Sequence, residues 1–316
     1  MKKGTKRLIF LSAATLAGMY AYNKFVESTS TQKNLLAKEK GEFFDWKEGS
    51  VFYTKQGEGE PLLLVHDTDS ASSSVEWHKI TKKLAKKYTV YTIDLLGCGR
   101  SDKPNINYTN YLYVQLLTAF VKEVIKTPTN IVATDISASF VIMTNHMDKE
   151  VFKKIVLINP ISLKQLEVIP DDLSKFKQVI INTPVIGTFI YNILMNPKQI
   201  DRQFRTRYFH KEQGISSTTE DEYYEAAHLD EGNGKYLYSS LLSNYMNFNI
   251  GHAIKKIDKP IYIIGSKDVT GNVHTLDDYH KMNKNFEITL LSNCGLYPQL
   301  EIPEKMILVI EDQLNK

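Results

Sequence analysis

Residues 93–104 read Ile-Asp-Leu-Leu-Gly-Cys-Gly-Arg-Ser-Asp-Lys-Pro. The apolar, β-rich run 89–96 feeds directly into this stretch, and two glycines spaced two apart follow it. A strand that breaks into a glycine-bearing turn belongs at the end of a sheet, where the chain must bend sharply. Outward from here the same alternation repeats. Residues 61–65, Pro-Leu-Leu-Leu-Val, form a continuous apolar run of the kind buried inside a parallel sheet. Residues 76–87 follow it as an amphipathic helix. Downstream, residues 110–126 read as helix, 130–133 as strand, and the next stretch to about Met147 as helix.

The rhythm continues with a strand at 154–158 and then stops. Residues 161–255 are helical in pattern, rich in aromatics and without strong strands. Alternation resumes with strand 260–264, a helix near 275–282, strand 287–291 and helix 303–314. Residues 43–47 and 50–55 precede the whole as an antiparallel pair. Repeated β-α units imply a largely parallel sheet covered on both faces. The expected organisation is an α/β domain over 42–316, with a helical cap over about 161–255 inserted after the sixth strand.

The 316 residues are 42% hydrophobic and 24% charged, an ordinary globular composition. With 39 basic and 36 acidic residues the net charge is +3. That near-balance excludes nucleic acid as the main partner, because such binding needs concentrated positive charge. Cys98 and Cys294 are the only cysteines, with no zinc-type spacing, so no metal and no cofactor is expected.

Lys2, Lys3, Lys6 and Arg7 precede an uncharged run, residues 8–22. As helix this run spans roughly 22 Å, short of the roughly 30 Å hydrocarbon core. Extension to Val26 gives about 28 Å if Lys24 snorkels to the interface. Residues 1–26 are therefore expected to be a retained signal anchor, with a cleaved signal peptide and an apolar N-terminal helix on a cytoplasmic protein as the alternatives, and 27–41 a polar linker. The basic cluster before the apolar run places the domain outside the cytoplasm.

Several stretches together resemble the α/β-hydrolase family. Residues 62–67, Leu-Leu-Leu-Val-His-Asp, are similar to the family strand that ends in His-Gly. Residues 93–104 resemble its Asp-x-x-Gly-x-Gly-x-Ser segment closely. Residues 154–160, 260–268 and 298–304 resemble, in order, the strand before the cap, the strand and turn carrying the catalytic acid, and the segment after the catalytic histidine. The resemblance covers about residues 42–314 and implies a pocket under the cap at the carboxyl ends of the strands.

The chemistry implied is nucleophilic ester cleavage, which needs a nucleophile on a strained strand-to-helix turn, two oxyanion-facing N–H groups, a histidine base and a carboxylate. Residues 133–140, Ala-Thr-Asp-Ile-Ser-Ala-Ser-Phe, fit the turn in two registers. Asp135 as nucleophile is flanked by Ala133 and Ser137; Ser137 as nucleophile is flanked by Asp135 and Ser139. A third reading has Asp135 merely capping the following helix. The oxyanion donors would be the N–H of Thr68 with that of Ile136 or Ala138. Asp67 replaces the usual glycine. The acid position falls on Asp268. The base position falls on Leu296, which cannot accept a proton, and His274 is the best substitute.

Two functions follow. One is a membrane-anchored hydrolase of an apolar ester-like substrate with impaired or unconventional catalysis, its apolar preference suggested by cap residues such as Phe176, Phe189, Tyr191, Tyr223, Tyr224, Tyr236 and Tyr238. The other is a pseudohydrolase that binds a lipid or a protein partner.

Overall fold

The computed structural model describes residues 3–316. Met1 and Lys2, at the start of the expected membrane segment, lie outside the described residues, as do the side chains of Lys3, Lys6, Leu8 and Ile9. Eight strands form one sheet: β1 (Glu42–Trp46), β2 (Gly49–Gln56), β3 (Glu60–Val65), β4 (Tyr88–Ile93), β5 (Thr129–Thr134), β6 (Phe152–Ile158), β7 (Ile261–Ser266) and β8 (Phe286–Leu291). Their order is β1-β2-β4-β3-β5-β6-β7-β8. β1 pairs antiparallel with β2 and β2 antiparallel with β4; all other pairings are parallel. β3, β5 and β7 sit in the interior, and β5 and β7 have every residue buried. This is why Leu62–Val65 in β3 and Ile261–Ile264 in β7 read as apolar runs without polar alternation.

The helices are α1 (Lys3–Ser30), α2 (His78–Leu84), α3 (Asn110–Phe120), α4 (Ser137–Met147), α5 (Leu163–Leu166), α6 (Asp172–Asn182), α7 (Ile186–Leu194), α8 (Pro197–Gln203), α9 (Ser217–His228), α10 (Lys235–Leu242), α11 (Gly251–Lys255), α12 (Asn272–Met282), α13 (Pro298–Glu301) and α14 (Pro303–Asn315). Helices α5 to α11 follow β6 and form the cap. One face of the sheet packs on α3, α4, α11 and α12 through residues such as Leu63, Phe120, Phe140 and Tyr279. The other packs on α2 and α14 through Leu64, Trp77, Ile80 and Ile310. A third apolar cluster joins the cap to the end of the sheet through Tyr191, Phe204, Tyr223, Leu296 and Leu300.

The glycine-bearing turn after β4 is held by Asp94. Its carboxylate accepts hydrogen bonds from the backbone N–H of Ser74 (2.7 Å) and Arg100 (2.8 Å) and from the Arg100 guanidinium. Gly99 has φ +47°, and a Cβ there would lie 2.3 Å from Asp94 Oδ2. No other residue fits that approach.

The N-terminal region differs from expectation. α1 continues through Ser30, past the expected boundary at 26. Residues 31–41 are tied down: the Leu35 and Leu36 N–H groups donate to Glu225 at 2.8 and 3.0 Å, and Glu39 pairs with Arg100 at 2.9 Å. The polar Ser-Thr composition reads as a linker because these partners are remote in sequence. Among the described residues no helix is long and apolar enough to cross a membrane.

Candidate functional site

At the end of β5 the backbone turns sharply into α4, and Asp135 occupies the apex with φ +47°. A left-handed backbone conformation of this kind in a non-glycine residue is strained and needs support. The Asp135 N–H donates to Ile158 O at 3.0 Å, and its carbonyl accepts from Ala138 N at 3.2 Å and Ile161 N at 3.4 Å. The small side chains of Ala133 and Ser137 flank this crossing. The helix-capping reading fails: α4 has no side-chain cap, because the Asp135 carboxylate is engaged elsewhere.

Ser137 lies one turn below the apex, fully buried. Its hydroxyl donates its single proton to His66 O at 2.7 Å, so Thr68 Oγ1, also 2.7 Å away, is the donor between the two hydroxyls. Ser137 thus ties α4 to the loop after β3. The backbone N–H groups of Thr68 and Ile136 have no hydrogen-bond partner among the described residues, and both residues line a cavity with Asp135. These are the two groups that the Asp135 register assigns as oxyanion donors. The Ala138 N–H, the donor in the Ser137 register, is used on Asp135 O.

The cavity has a volume of about 190 Å³. It is lined by Asp67, Thr68, Asp69, Asp135, Ile136 and Arg207, with Ile161, Gln165, Leu241, Asn244 and Asn247 completing the wall. None of the cap aromatics that suggested an apolar pocket lines it. Tyr191 and Tyr223 are buried in the cap core, and Phe176 is on the surface.

Arg207 was not foreseen. It belongs to a π-helical turn, Phe204–Tyr208, that follows α8, and its Nη2 meets Asp135 Oδ2 at 2.7 Å. No local signal in the sequence connects residues 72 positions apart. Burial raises the Asp135 carboxyl above its ordinary range, and the Arg207 guanidinium pulls it part of the way back. Burial also raises Asp67, reinforced by the negative charge of Asp135. Asp69 is raised by burial as well, and burial pushes Glu76 up to about 7. Asp67 lines the same cavity, its Oδ2 accepts from Tyr297 OH at 2.8 Å, and its N–H donates to Glu76 Oε2 at 2.9 Å.

Leu296 is buried in the apolar cluster between cap and sheet. The cap seals this position through the backbone. Leu296 N donates to Arg207 O at 3.3 Å and Tyr297 N to Tyr208 O at 3.1 Å. The rings of Tyr208 and Tyr297 stack with centroids 4.3 Å apart. Glu301 completes the clasp, accepting from Gly295 N (2.7 Å) and from the N–H groups of His210 and Lys211.

Asp268 is exposed, accepts a hydrogen bond from Asn293 N at 2.6 Å, and lines a different, surface recess of about 790 Å³ together with His274. His274 pairs with Asp278 at 3.8 Å. Neither residue lines the Asp135 cavity, and among the described residues no histidine does. His66 accepts from Leu95 N on Nε2 at 3.0 Å, and burial lowers its pKa, so it is a neutral structural residue. Cys98 and Cys294 are buried free thiols, each raised by burial. The cavity therefore brings together the apex carboxyl of Asp135, the carboxyls of Asp67 and Asp69, the Arg207 guanidinium and, among the described residues, two backbone N–H groups without a partner.

The model of the alpha/beta hydrolase family matches residues 62–307 of this chain. A 2-hydroxy-6-oxo-6-(2'-aminophenyl)hexa-2,4-dienoic acid hydrolase of Metapseudomonas resinovorans is 35% identical over 71 residues, 22% of this chain and 24% of that protein. The match thus spans about a quarter of that relative's length. Among solved structures, a serine hydrolase involved in carbazole degradation superposes with TM-score 0.70 at 19% identity, covering 87% of this chain and 98% of the other. A membrane phospholipase A described as a bacterial virulence factor superposes with TM-score 0.69 at 17% identity, covering 100% and 98%. At these identities the likeness is one of fold.

Proposed function

The chain belongs to the alpha/beta hydrolase family, and within it we propose a pseudohydrolase that binds the polar head of an amphiphilic, ester-like molecule without triad turnover. The observation that carries this reading is Leu296, an aliphatic side chain packed into an apolar cluster at the base position. The Asp135–Arg207 pair supports it, because a carboxylate held by a guanidinium is a weakened nucleophile. The small cavity with its carboxylates and amides suits a polar group. Its wall at Gln165 adjoins exposed Val168 and Ile169, where an apolar tail would lie. The N-terminal segment is proposed to hold the protein at a membrane with the domain on the extracytoplasmic side. The whole-chain fold likeness to a membrane phospholipase A is compatible with that, and protease accessibility of the domain in intact cells tests the side.

One observation favours a second reading, a hydrolase of carboxylic-ester type: the strained apex at Asp135 with the unpartnered N–H groups of Thr68 and Ile136. Asp135 attack on an ester carbonyl forms a mixed anhydride with the enzyme and releases the alcohol, whereas attack on an alkyl or epoxide carbon breaks the bond to the leaving oxygen or group and forms an ester to the enzyme. Without a base that intermediate persists. The test is hydrolysis of p-nitrophenyl esters by the full chain, with intact-mass measurement after incubation with an epoxide. The pseudohydrolase reading expects background rates, the same in Asp135→Ala, and no adduct. A rate above background that Asp135→Ala abolishes, or an adduct on Asp135, overturns it.

A further inference from the structure

We propose that the outward faces of α6 and α7 form, with α1, one continuous lipid-contacting surface, so that the cap itself rests on the bilayer. This rests on the membrane reading above and deepens it. The observation is an inversion of polarity shared by three packed helices. α6 turns Ser174, Gln178 and Ile181 inward, while Leu173, Phe176 and Val179 are exposed. Gln178 is satisfied inside by Asn107 at 2.8 Å. α7 buries Gly187, Tyr191 and Asn192 and exposes Ile186, Ile193 and Leu194. α1 docks through Asn23, which donates to Val185 O at 2.9 Å and accepts from Asn192 Nδ2 at 3.1 Å. Phe10, Leu11, Leu16, Tyr20 and Phe25 remain exposed.

A water-facing helix on a globular protein has the opposite pattern, apolar residues in and polar residues out. Here three adjoining helices satisfy Gln178, Asn23 and the Asn192 amide N–H inside the protein and present apolar side chains outward, with the Asp172–Lys175 pair at the exposed start of α6. That arrangement suits an apolar solvent.

The choice of lipid over a second protein copy rests on α1. A protein partner covers one stripe of a helix, whereas Phe10, Leu11 and Leu16 point to different faces at 100° per residue and all three are exposed. Charge agrees: Lys2, Lys3, Lys6, Arg7 and Lys24 precede Glu27, the first acidic residue of the chain. A basic apolar helix of this kind binds anionic headgroups with its apolar side in the acyl boundary. Because no described helix is both long and apolar enough to span, α1 enters one leaflet or lies along it, and the cap follows it to the surface. The apolar strip also reaches the cavity wall: Asn247 Nδ2 donates to Gln165 O at 2.9 Å and Val168 O at 3.0 Å. Gln165 and Asn247 line the cavity, and Val168 and Ile169 begin the exposed strip. A molecule leaving the bilayer thus meets the cavity at its edge.

The test is sedimentation of the full chain with phosphatidylcholine vesicles, with and without phosphatidylglycerol. Compared with it are a cap variant, Phe176→Glu with Val179→Glu, and an α1 variant, Phe10→Glu with Leu11→Glu. Both alter exposed residues, and equal unfolding midpoints verify their folds. The expected result is at least a tenfold loss of vesicle partitioning for each variant. Phe176→Trp, read with brominated lipid, is expected to be quenched. If the wild type fails to bind vesicles, the membrane reading itself fails. If the wild type binds and the cap variant binds equally, or Phe176→Trp is not quenched, only the cap inference is overturned. A lipid-free dimer that the cap variant dissociates makes the face a protein interface and also overturns it.

Discussion

Asp94 and Asp135 both follow strands of the same sheet, and both are paired with an arginine. The two pairs are built differently. Asp94 is fully buried and receives the Ser74 and Arg100 N–H groups as well as the Arg100 guanidinium. Arg100 in turn reaches Glu39, Leu36 O and the Phe52 ring. Burial alone would raise the Asp94 carboxyl, but Arg100 outweighs it and holds Asp94 at about 2. Asp135 has one side-chain partner, Arg207, which is half-exposed on the cap, and burial wins there. The first pair belongs to the scaffold and is ionised at all ordinary pH. The second is a single strut between cap and sheet, within a group of carboxyls whose charge the protein resists.

Breaking the scaffold pair has the largest expected effect. Asp94→Ala leaves Arg100 buried without its charge and two backbone N–H groups unpaired, at a cost of about 3–5 kcal/mol. Urea denaturation measures this. A loss below about 1 kcal/mol would mean the two pairs do not differ as described. The pH signature sharpens the same point. A depressed carboxyl stabilises the fold above its unfolded value and loses that contribution as pH falls through its folded value. For Asp94 the window runs from about 4 down to about 2, with about 2 kcal/mol at stake.

Next in size is Leu296→Ala, which empties part of the cluster sealing the cap to the sheet. The expected loss is about 2–4 kcal/mol, read from the thermal midpoint and urea curve. A near-neutral result would mean that the cap is not clamped at this point.

The carboxyls around the apex act with the opposite sign from Asp94. Glu76 rises from 4.5 to about 7, so the fold binds its proton more tightly than the unfolded chain does. Stability is full below about 4.5 and falls as pH rises toward 7, by about 3 kcal/mol for this group. Asp67, Asp69 and Asp135 shift in the same direction. Glu76→Gln is expected to flatten that limb and to be more stable than the wild type at pH 8, with little difference at pH 4. Gln299 makes room for the change: its buried Oε1 has no partner, so it can turn to accept from the new amide. Equal pH slopes in the two proteins would remove the opposition between scaffold and site.

The contrast also explains what was legible in the sequence. Asp94, Gly97, Gly99, Arg100 and Ser101 act on one another across a few positions, so the local pattern reports the turn. Apolar runs reported the buried strands for the same reason. At the apex, flanking small residues pointed to Asp135 but left Ser137 open, and only the backbone angle separates them. Arg207, Glu225 and Gln299 reach partners 72 to 223 residues away. No local pattern carries such pairings. The aromatic content of the cap suggested an apolar pocket because composition does not say which way a side chain faces. Phe176 faces out, Tyr191 and Tyr223 fill the cap core, and the cavity is polar.

The smallest effect is expected where the strut itself is cut. Arg207→Ala removes one contact from a half-exposed side chain, so global stability changes by about 1 kcal/mol or less. The local consequence is larger than the global one. Arg207 O and Tyr208 O still accept from Leu296 and Tyr297, so the backbone clasp remains while the guanidinium that offsets the Asp135 charge is gone. The Asp135 carboxyl then moves further up, since burial is no longer opposed. Faster amide exchange is expected around the apex and the π-helical turn of the cap, with protection in β3, β5 and β7 unchanged. If Arg207→Ala instead slows exchange there, the ion pair strains the cap rather than bracing it, and the two aspartate–arginine pairs differ in sign as well as in size.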